Sequence, residues 1–325
     1  MRKLLCSAVA LASFNTISTA QTLTQTFGTG ANAFTMDFVE IGNPGNAADT
    51  TGSPNPAGSV AYTYNLGKYE VSRDMINKAN AAGSLGITLR DMTNYGGNDA
   101  NKPATGISWQ EAAKFVNYLN ISQGSVAAYK LDAGGNFQIW SAGDAGYNPN
   151  NLFRNSLAQY FLPSTNEWYK AAYGSPSGIW HDFATGVDTA PTAVAGGSSG
   201  VVYRQLWSAG PANIANAGGF SDWGTMGQNG NAWEWTETAW DGVNNNPNEL
   251  REVRGGSWGD DVAQIQSDGI TSRYWYTPTN NDQEVGNDFI NKGLRIASTT
   301  IPEPSSLSLL ALGGVVVALS KRKRV

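Results

Sequence analysis

The chain has 325 residues, of which 11% are aromatic and only 14% charged, and its formal net charge is −5. Its single cysteine is Cys6, which excludes a disulfide framework, a zinc–thiolate site and a cysteine nucleophile from the rest of the chain. Six of the 21 cations lie in the terminal segments 1–20 and 305–325, which hold no acidic residue. The interior is therefore strongly acidic, and nucleic acid is not expected as a partner.

The first 20 residues have the pattern of a secretory signal peptide. Arg2 and Lys3 form a positive start, residues 4–12 are mostly apolar, and residues 18–20 are small, as at a cleavage site. We therefore predict export, with cleavage after Ala20.

The chain then alternates between strand-like segments and polar loops. Strands are predicted at 34–41 and 61–71, and a helix at 72–80 with Asp74 placed favourably in its first turn. Clusters of glycine, serine, asparagine and proline separate these elements and predict turns and long loops.

Two serines open the clearest helices. Ser108 is followed three residues later by Glu111, and Ser164 by Glu167, which is the capping-box spacing. Apolar residues follow each box at helical spacing. These signals predict one helix after Ser108 and a second after Ser164.

Short strands are predicted at 232–236 and 252–254. In the first, Trp233 and Trp235 flank Glu234, so on a strand both indoles face one side and the carboxylate the other. Such a glutamate is either a buried carboxylate with its hydrogen bonds satisfied or a ligand. Few helices, short strands and long loops together predict an irregular α+β domain.

The basic residues of the interior are predicted to be structural. Arg254, Arg273 and Arg295 are expected to make internal ion pairs that tie loops together, because one guanidinium can satisfy several acceptors. His181, the lone histidine, cannot build a multi-histidine metal site and is expected at the surface or in a packing role. Zinc and haem are therefore not expected.

The last 25 residues form a second sorting segment. The sequence Pro302-Glu303-Pro304 precedes an apolar run, 307–319, and a basic cluster, 321–324. As a helix the run would span about 20 Å, less than the ~30 Å hydrocarbon core. This end resembles the PEP-CTERM sorting signal of Gram-negative bacteria, which implies transient anchoring in the inner membrane and cleavage by an exosortase. An ordinary tail anchor is the alternative.

Seven motifs of the interior, read in order, resemble the formylglycine-generating enzyme (sulfatase-modifying factor) family, and especially its PEP-CTERM-bearing branch. They lie at 38–46, 67–72, 103–109, 162–168, 230–235, 254–258 and 293–295. The resemblance covers about 34–298. It implies a loop-rich C-type-lectin-like single domain. We assign 1–20 to the signal peptide, 21–300 to this domain and 301–325 to the sorting segment.

The sequence departs from the family where the chemistry is done. Active members use two cysteines, about three and eight residues after the Gly-Gly-Ser motif, to bind copper and oxidise a substrate cysteine. Counted from Ser257, these places hold Asp260 and Ile265. Neither residue can replace a soft, nucleophilic thiolate, so copper is not expected as a cofactor.

The resemblance also implies two calcium sites. Their ligands are oxygen atoms at Asn213, Ile214, Gly230, Ala232 and Glu234. A further side-chain ligand of the second site falls on Gly227, which has no oxygen-bearing side chain. Calcium is therefore expected as a cofactor, with the second site weakened by the missing ligand.

These observations favour an exported, non-catalytic module that acts at the cell surface or in the exopolysaccharide matrix and binds a glycan or a protein. The candidate ligand-binding residues are Trp233, Trp235, Arg254, Asp260 and Asp261. One alternative is an enzyme with cysteine-independent chemistry that recruits acidic residues such as Asp260. The other is a structural matrix protein without a ligand.

Overall fold

The structure is a computed structural model that describes residues 22–269, 271–279 and 290–299. Within these ranges short strands and helices alternate with long ordered loops. The strands are β1 (Thr22–Phe27), β2 (Phe34–Ile41), β3 (Tyr64–Gly67), β4 (Lys130–Leu131), β5 (Phe137–Gln138), β6 (Tyr160–Phe161), β7 (Trp233–Ala239), β8 (Arg251–Arg254), β9 (Arg273–Tyr276), β10 (Lys292–Leu294) and β11 (Ala297–Ser298). The α-helices are α1 (Arg73–Gly83), α2 (Trp109–Ser122), α3 (Thr165–Tyr173) and α4 (Val262–Ile265).

The strands form one five-stranded sheet, one four-stranded sheet and the small pair β4–β5. The five-stranded sheet has the order β1-β2-β3-β11-β6, and the four-stranded sheet has the order β10-β7-β8-β9. In the first, β11 lies antiparallel between β3 and β6. The last described strand is thereby joined to the first part of the domain.

The register of the four-stranded sheet decides which side chains share a face. Trp235 lies opposite Val253, which lies opposite Tyr274. On the other face, Glu234 lies opposite Arg254, which lies opposite Arg273. The predicted separation of Glu234 from its two neighbouring tryptophans is confirmed.

Both predicted capping boxes are present. The Ser108 Oγ accepts a hydrogen bond from the Glu111 N–H at 3.1 Å, and the Glu111 carboxylate accepts one from the Ser108 N–H at 2.8 Å. Ser164 and Glu167 make the same reciprocal pair at the start of α3. α1 also starts as predicted, after Ser72.

Three of the four strand predictions are confirmed. β2 has the predicted bounds, and β7 and β8 lie at the predicted 232–236 and 252–254 with ends that differ by at most three residues. The segment 61–71 forms only the four residues of β3. β4, β5, β6 and β11 are two residues long, too short to show an alternating pattern. Such strands exist because their neighbours pair with them, and sequence periodicity does not reveal them.

The predicted signal peptide and the segment 301–325 lie outside the described residues. Among the residues that are described, no helix combines the length and apolar character needed to cross a membrane.

Candidate functional site

Asp260 lies where the resemblance expects the first cysteine. Its Oδ2 accepts three hydrogen bonds, from the Trp233 Nε1–H at 2.8 Å, the Ser257 N–H at 2.7 Å and the Ser257 Oγ–H at 2.6 Å. The Asn291 amide in turn donates to the Ser257 Oγ at 2.9 Å. The side chain is thus fixed in a closed network.

Burial raises the pKa of the Asp260 carboxyl, and its hydrogen bonds from Ser257 and Trp233 offset part of that rise. Ile265, at the second cysteine position, is fully buried against Phe183, Val201 and Tyr203. A buried aliphatic side chain and a hard oxygen ligand do not provide the soft thiolate pair that copper chemistry requires.

The five predicted ligand-binding residues do not form one surface. Trp235 and Arg254 are fully buried, and Trp233 is nearly so. The Trp235 indole donates to the Ile107 carbonyl. Asp261 is exposed and pairs with Arg204, and its side chain takes no part in the hydrogen bonds to the Asp260 Oδ2.

Glu234 is a buried carboxylate with its hydrogen bonds satisfied. It accepts from the Trp168 Nε1–H at 2.6 Å and from the Arg295 Nη2–H at 2.7 Å. Arg295 also donates to the carbonyls of Gly67 and Met226, so one guanidinium ties three parts of the chain together. The predicted structural role of this arginine is confirmed.

A second buried carboxylate, Glu70, lies beside Gly227, the position at which the resemblance implies a further side-chain ligand. A Cβ atom placed on Gly227 would be 3.1 Å from the Glu70 Oε2. That oxygen accepts a hydrogen bond from the Asn231 amide at 2.5 Å, whereas the Glu70 Oε1 has no partner among the described residues. Burial and the nearby Glu234 carboxylate raise the pKa of Glu70 well above its ordinary range.

The second predicted calcium site contains two buried carboxylates, Glu70 and Glu234, but the described residues hold no cluster of three or more acidic or histidine side chains that could bind a metal ion. Glu70 brings a carboxylate oxygen into the space beside Gly227, while Glu234 is already paired with Arg295. Gly230 and Ala232 are buried in the same segment. At the first predicted site, Asn213 is half-buried and immediately precedes the 3₁₀ helix Ile214–Asn216.

A cleft of about 780 Å³ opens beside the four-stranded sheet, within the range of about 300–1,000 Å³ typical of ligand pockets. Glu252 and Arg273 contribute to it from the sheet face opposite to Trp235. Six asparagines line it, which are Asn148, Asn150, Asn151, Asn155, Asn166 and Asn244. We call this opening the amide cleft.

One wall of the amide cleft is aromatic. Trp240 is half-buried and lines the cleft, and its ring centroid lies 4.0 Å from that of the exposed Trp275. The Arg273 guanidinium lies 4.3 Å from the Trp240 ring centroid. These contacts hold Trp240 in place.

The two cations that line the cleft among the described residues are paired. Arg154 contacts Glu237 at 3.1 Å and Glu167 at 3.4 Å, and Arg273 contacts Glu252 at 2.8 Å. Although burial by itself raises the pKa of Glu252, its hydrogen bonds and the charges of Arg254 and Arg273 lower it below its ordinary value. Glu252 is therefore ionised and structural.

Several polar groups in the cleft remain available. In the described part of the chain, the side-chain NH₂ groups of Asn148, Asn150 and Asn166 make no hydrogen bond, nor does the Trp240 indole N–H. The arrangement can hold a polar, uncharged ligand by amide hydrogen bonds beside an indole ring.

Sequence reasoning did not find this cleft. The asparagine-rich stretches at its rim predict only loops, and Asn166 lies on α3, far along the chain from Trp240. The one usable signal was the concentration of asparagine near 148–151 and 244–246.

The fold is a C-type-lectin-like α+β domain with few helices, and it defines the class of the protein. Residues 28–296 match the sulfatase-modifying factor enzyme 1-like domain. The chain therefore belongs to the formylglycine-generating enzyme (sulfatase-modifying factor) family. Among curated proteins, no sequence matches it.

Solved structures share the fold at low sequence identity. The variable protein 1 of Treponema denticola is 16% identical with a TM-score of 0.57, and the match covers 86% of this chain and 99% of that protein. CarF is 19% identical with a TM-score of 0.57, covering 82% and 99%. PvdO from Pseudomonas aeruginosa is 14% identical with a TM-score of 0.51, covering 85% and 98%.

Residues 300–324 match the PEP-CTERM protein-sorting motif. The motif marks the chain as an exported member of its family that is sorted to the surface or extracellular compartment and processed by an exosortase.

Proposed function

We propose that this protein is a non-catalytic binding module, and that its ligand is a neutral glycan of the cell surface or the exopolysaccharide matrix, held in the amide cleft. The observation that carries the proposal is the cleft itself, which combines six asparagines with Trp240 in one opening of about 780 Å³. Amide groups match the hydroxyls of a sugar as both donors and acceptors, and a tryptophan in the wall adds apolar contact area and an indole N–H donor.

The charges of the cleft favour a neutral ligand over an acidic one. Its two lining cations, Arg154 and Arg273, already face carboxylates, and Asp241 is exposed at the rim. An acidic polysaccharide would bring carboxylates to a wall whose positive charge is neutralised, and Asp241 would repel it. Neutral hydroxyls meet no such cost.

The catalytic position supports a non-catalytic role. The chemistry of the family needs two thiolates, and here one position is a carboxylate fixed by three hydrogen bonds while the other is a buried isoleucine. Asp260 and Asp261 do not converge, because Asp261 turns outward to Arg204. An enzyme with cysteine-independent chemistry stays the alternative, and a structural matrix protein without a ligand is the other.

Calcium belongs to the same proposal as a stabilising ion rather than a reactant. The residues that would hold it are Asn213 and Ile214 at one site, and Glu70 with the carbonyls of Gly230 and Ala232 at the other, where Glu234 is already paired with Arg295. Calcium takes six to eight oxygen ligands, so the otherwise unpartnered Glu70 oxygen is a suitable one.

The route to the surface completes the proposal. The secretion machinery and an exosortase are the processing partners, with cleavage after Ala20 and removal of the segment beyond about Pro304. The protein then remains in the periplasm, on the surface or in the matrix. An intact mass of the mature protein that still includes 307–319 would contradict this processing.

A glycan array probed with the mature protein tests the binding role. We expect binding to neutral glycans, reduced at least fivefold in Asn166→Ala and Asn148→Ala. The matched control is Asn77→Ala, because Asn77 is an exposed asparagine on α1 outside the cleft. Failure of the wild type to bind any glycan would overturn the proposal and leave the structural role.

A further inference from the structure

Lys170 is a buried cation on α3. Its side chain is 1% exposed, in a segment where every residue from Glu167 to Ser175 is buried. Lysine is almost never fully buried unless it is paired, because removing an ammonium from water is costly. The groups around the Lys170 ammonium must therefore account for its burial.

The partners of Lys170 are few and uncharged. Its Nζ donates to the Asn43 carbonyl at 2.9 Å and lies 6.0 Å from the Trp223 ring centroid. Among the described residues, no carboxylate lies within ion-pair distance of this Nζ. Burial lowers the pKa of Lys170 to about 8.

A cavity of about 180 Å³ lies against this side chain. Lys170, Gly174 and Ser175 are its buried residues, and Asn43 and Gly178 are among the exposed residues at its mouth. The volume is several times the roughly 30 Å³ that a water molecule occupies in the liquid. None of the described residues that line the cavity is acidic.

We propose that this cavity binds a small oxyanion, a carboxylate or an inorganic anion of similar size, with Lys170 supplying the positive charge. A buried ammonium that has one carbonyl partner keeps two unused donors, and an anion in the adjoining cavity would accept them. The absence of acidic side chains from the lining removes the repulsion that would otherwise exclude an anion. The site is separate from the amide cleft, and its test does not depend on glycan binding.

A purely structural lysine and an anion-binding lysine differ in whether a small anion can reach the Lys170 Nζ. If Lys170 serves only to bind the Asn43 carbonyl, small anions have no effect on it. If the cavity is a site, an anion in it shields the Nζ and stabilises the folded protein by mass action.

The experiment is amine labelling of the wild-type mature protein with a small acetylating reagent, read peptide by peptide by mass spectrometry at fixed ionic strength. Labelling of Lys170 is compared in chloride alone and with added acetate, glucuronate, phosphate or sulfate. The matched control is Lys78, a partly exposed lysine on α1 that pairs with Asp74. We expect at least fivefold slower labelling of Lys170 in one class of oxyanion, with Lys78 changed less than 1.5-fold.

The pattern of protection among the four added anions identifies the chemical class of the ligand. Protection by acetate and glucuronate assigns a carboxylate, and protection by phosphate or sulfate alone assigns an inorganic oxyanion. Equal labelling in every condition, or no labelling of Lys170 at all, overturns the proposal. As a second measurement, the protecting anion should raise the melting temperature of the wild type but not of Lys170→Met, and an equal rise in both would also contradict it.

Discussion

On one face of the four-stranded sheet, Trp233, Ser257 and Asp260 bind one another, and the carboxylate has three donors on a single oxygen. On the opposite face, the asparagines of the amide cleft come from separate loops and from α3, and Asn148, Asn150 and Asn166 keep unused amide donors. The first region resembles a folded core in its hydrogen bonding, and the second resembles a binding surface. Where the family carries its thiolate pair, this chain has a hydrogen-bonded carboxylate and a buried isoleucine, while an open cleft lies on the other face of the same sheet.

The largest effect is expected from Glu252, which lines the amide cleft and pairs with Arg254 and Arg273. In Glu252→Gln the fully buried Arg254 loses its carboxylate, which should lower the free energy of unfolding by about 3–5 kcal/mol. Denaturant unfolding measures this, with the exposed Glu40→Gln as the control that should not change. An unchanged midpoint for Glu252→Gln would show that this face is not held together by its ion pairs.

The same residue gives a pH dependence. Because the folded pKa of Glu252 is depressed, its stabilisation is present above its ordinary pKa of 4.5 and is lost as the pH falls through the folded value. The wild type should therefore lose more stability on acidification below pH 4.5 than Glu252→Gln does. Parallel pH profiles for the two proteins would refute the assignment.

Calcium is expected to stabilise the domain by about 2.7 kcal/mol when free calcium is a hundredfold above Kd. Melting in EDTA and in excess calcium measures the shift. Glu70→Gln should remove most of it, because the second site then loses the carboxylate beside Gly227. Identical melting of the wild type in both solutions would mean that these are ordinary loop residues.

A smaller effect is expected at Asp260, where the family has its first catalytic cysteine. Burial disfavours the charged form of Asp260, so Asp260→Asn, which keeps a hydrogen-bond acceptor, should change the free energy of unfolding by less than about 1 kcal/mol. Because the folded pKa of Asp260 is raised, the wild type loses stability as the pH rises above 3.8, the ordinary pKa of aspartate. The stability of Asp260→Asn relative to the wild type should therefore increase as the pH rises. A large loss would show that the carboxylate charge itself is needed there.

No effect is expected on a sulfatase peptide. Incubation of the protein with copper, oxygen and a peptide that carries the recognition cysteine should leave the peptide mass unchanged, because no thiolate pair is present at 260 and 265. Copper-dependent conversion above a control without protein would refute the non-catalytic role.

The sequence was informative where the signal is local. Ser108 with Glu111, and Ser164 with Glu167, each specify a helix start within four residues, and β2 carries enough apolar residues to be recognised. Glu234 was predicted on the face opposite to its flanking tryptophans, and Arg295 was predicted to make an internal ion pair. That the two residues pair with each other, 61 residues apart, was not predicted. Glu70 reaches Asn231 across 161 residues, and no pattern in the sequence encodes that contact.

The measurement that tests the central claim most directly is the affinity of three mature proteins for a neutral glycan found on the array. Trp240→Ala removes the aromatic wall of the amide cleft and should weaken binding at least tenfold, or about 1.4 kcal/mol. Asp260→Asn changes the other face of the sheet and should bind within twofold of the wild type. Trp207→Ala controls for loss of a partly exposed tryptophan, since Trp207 lies against Gly259, outside the cleft. Loss of binding in Asp260→Asn with full binding in Trp240→Ala would contradict the account.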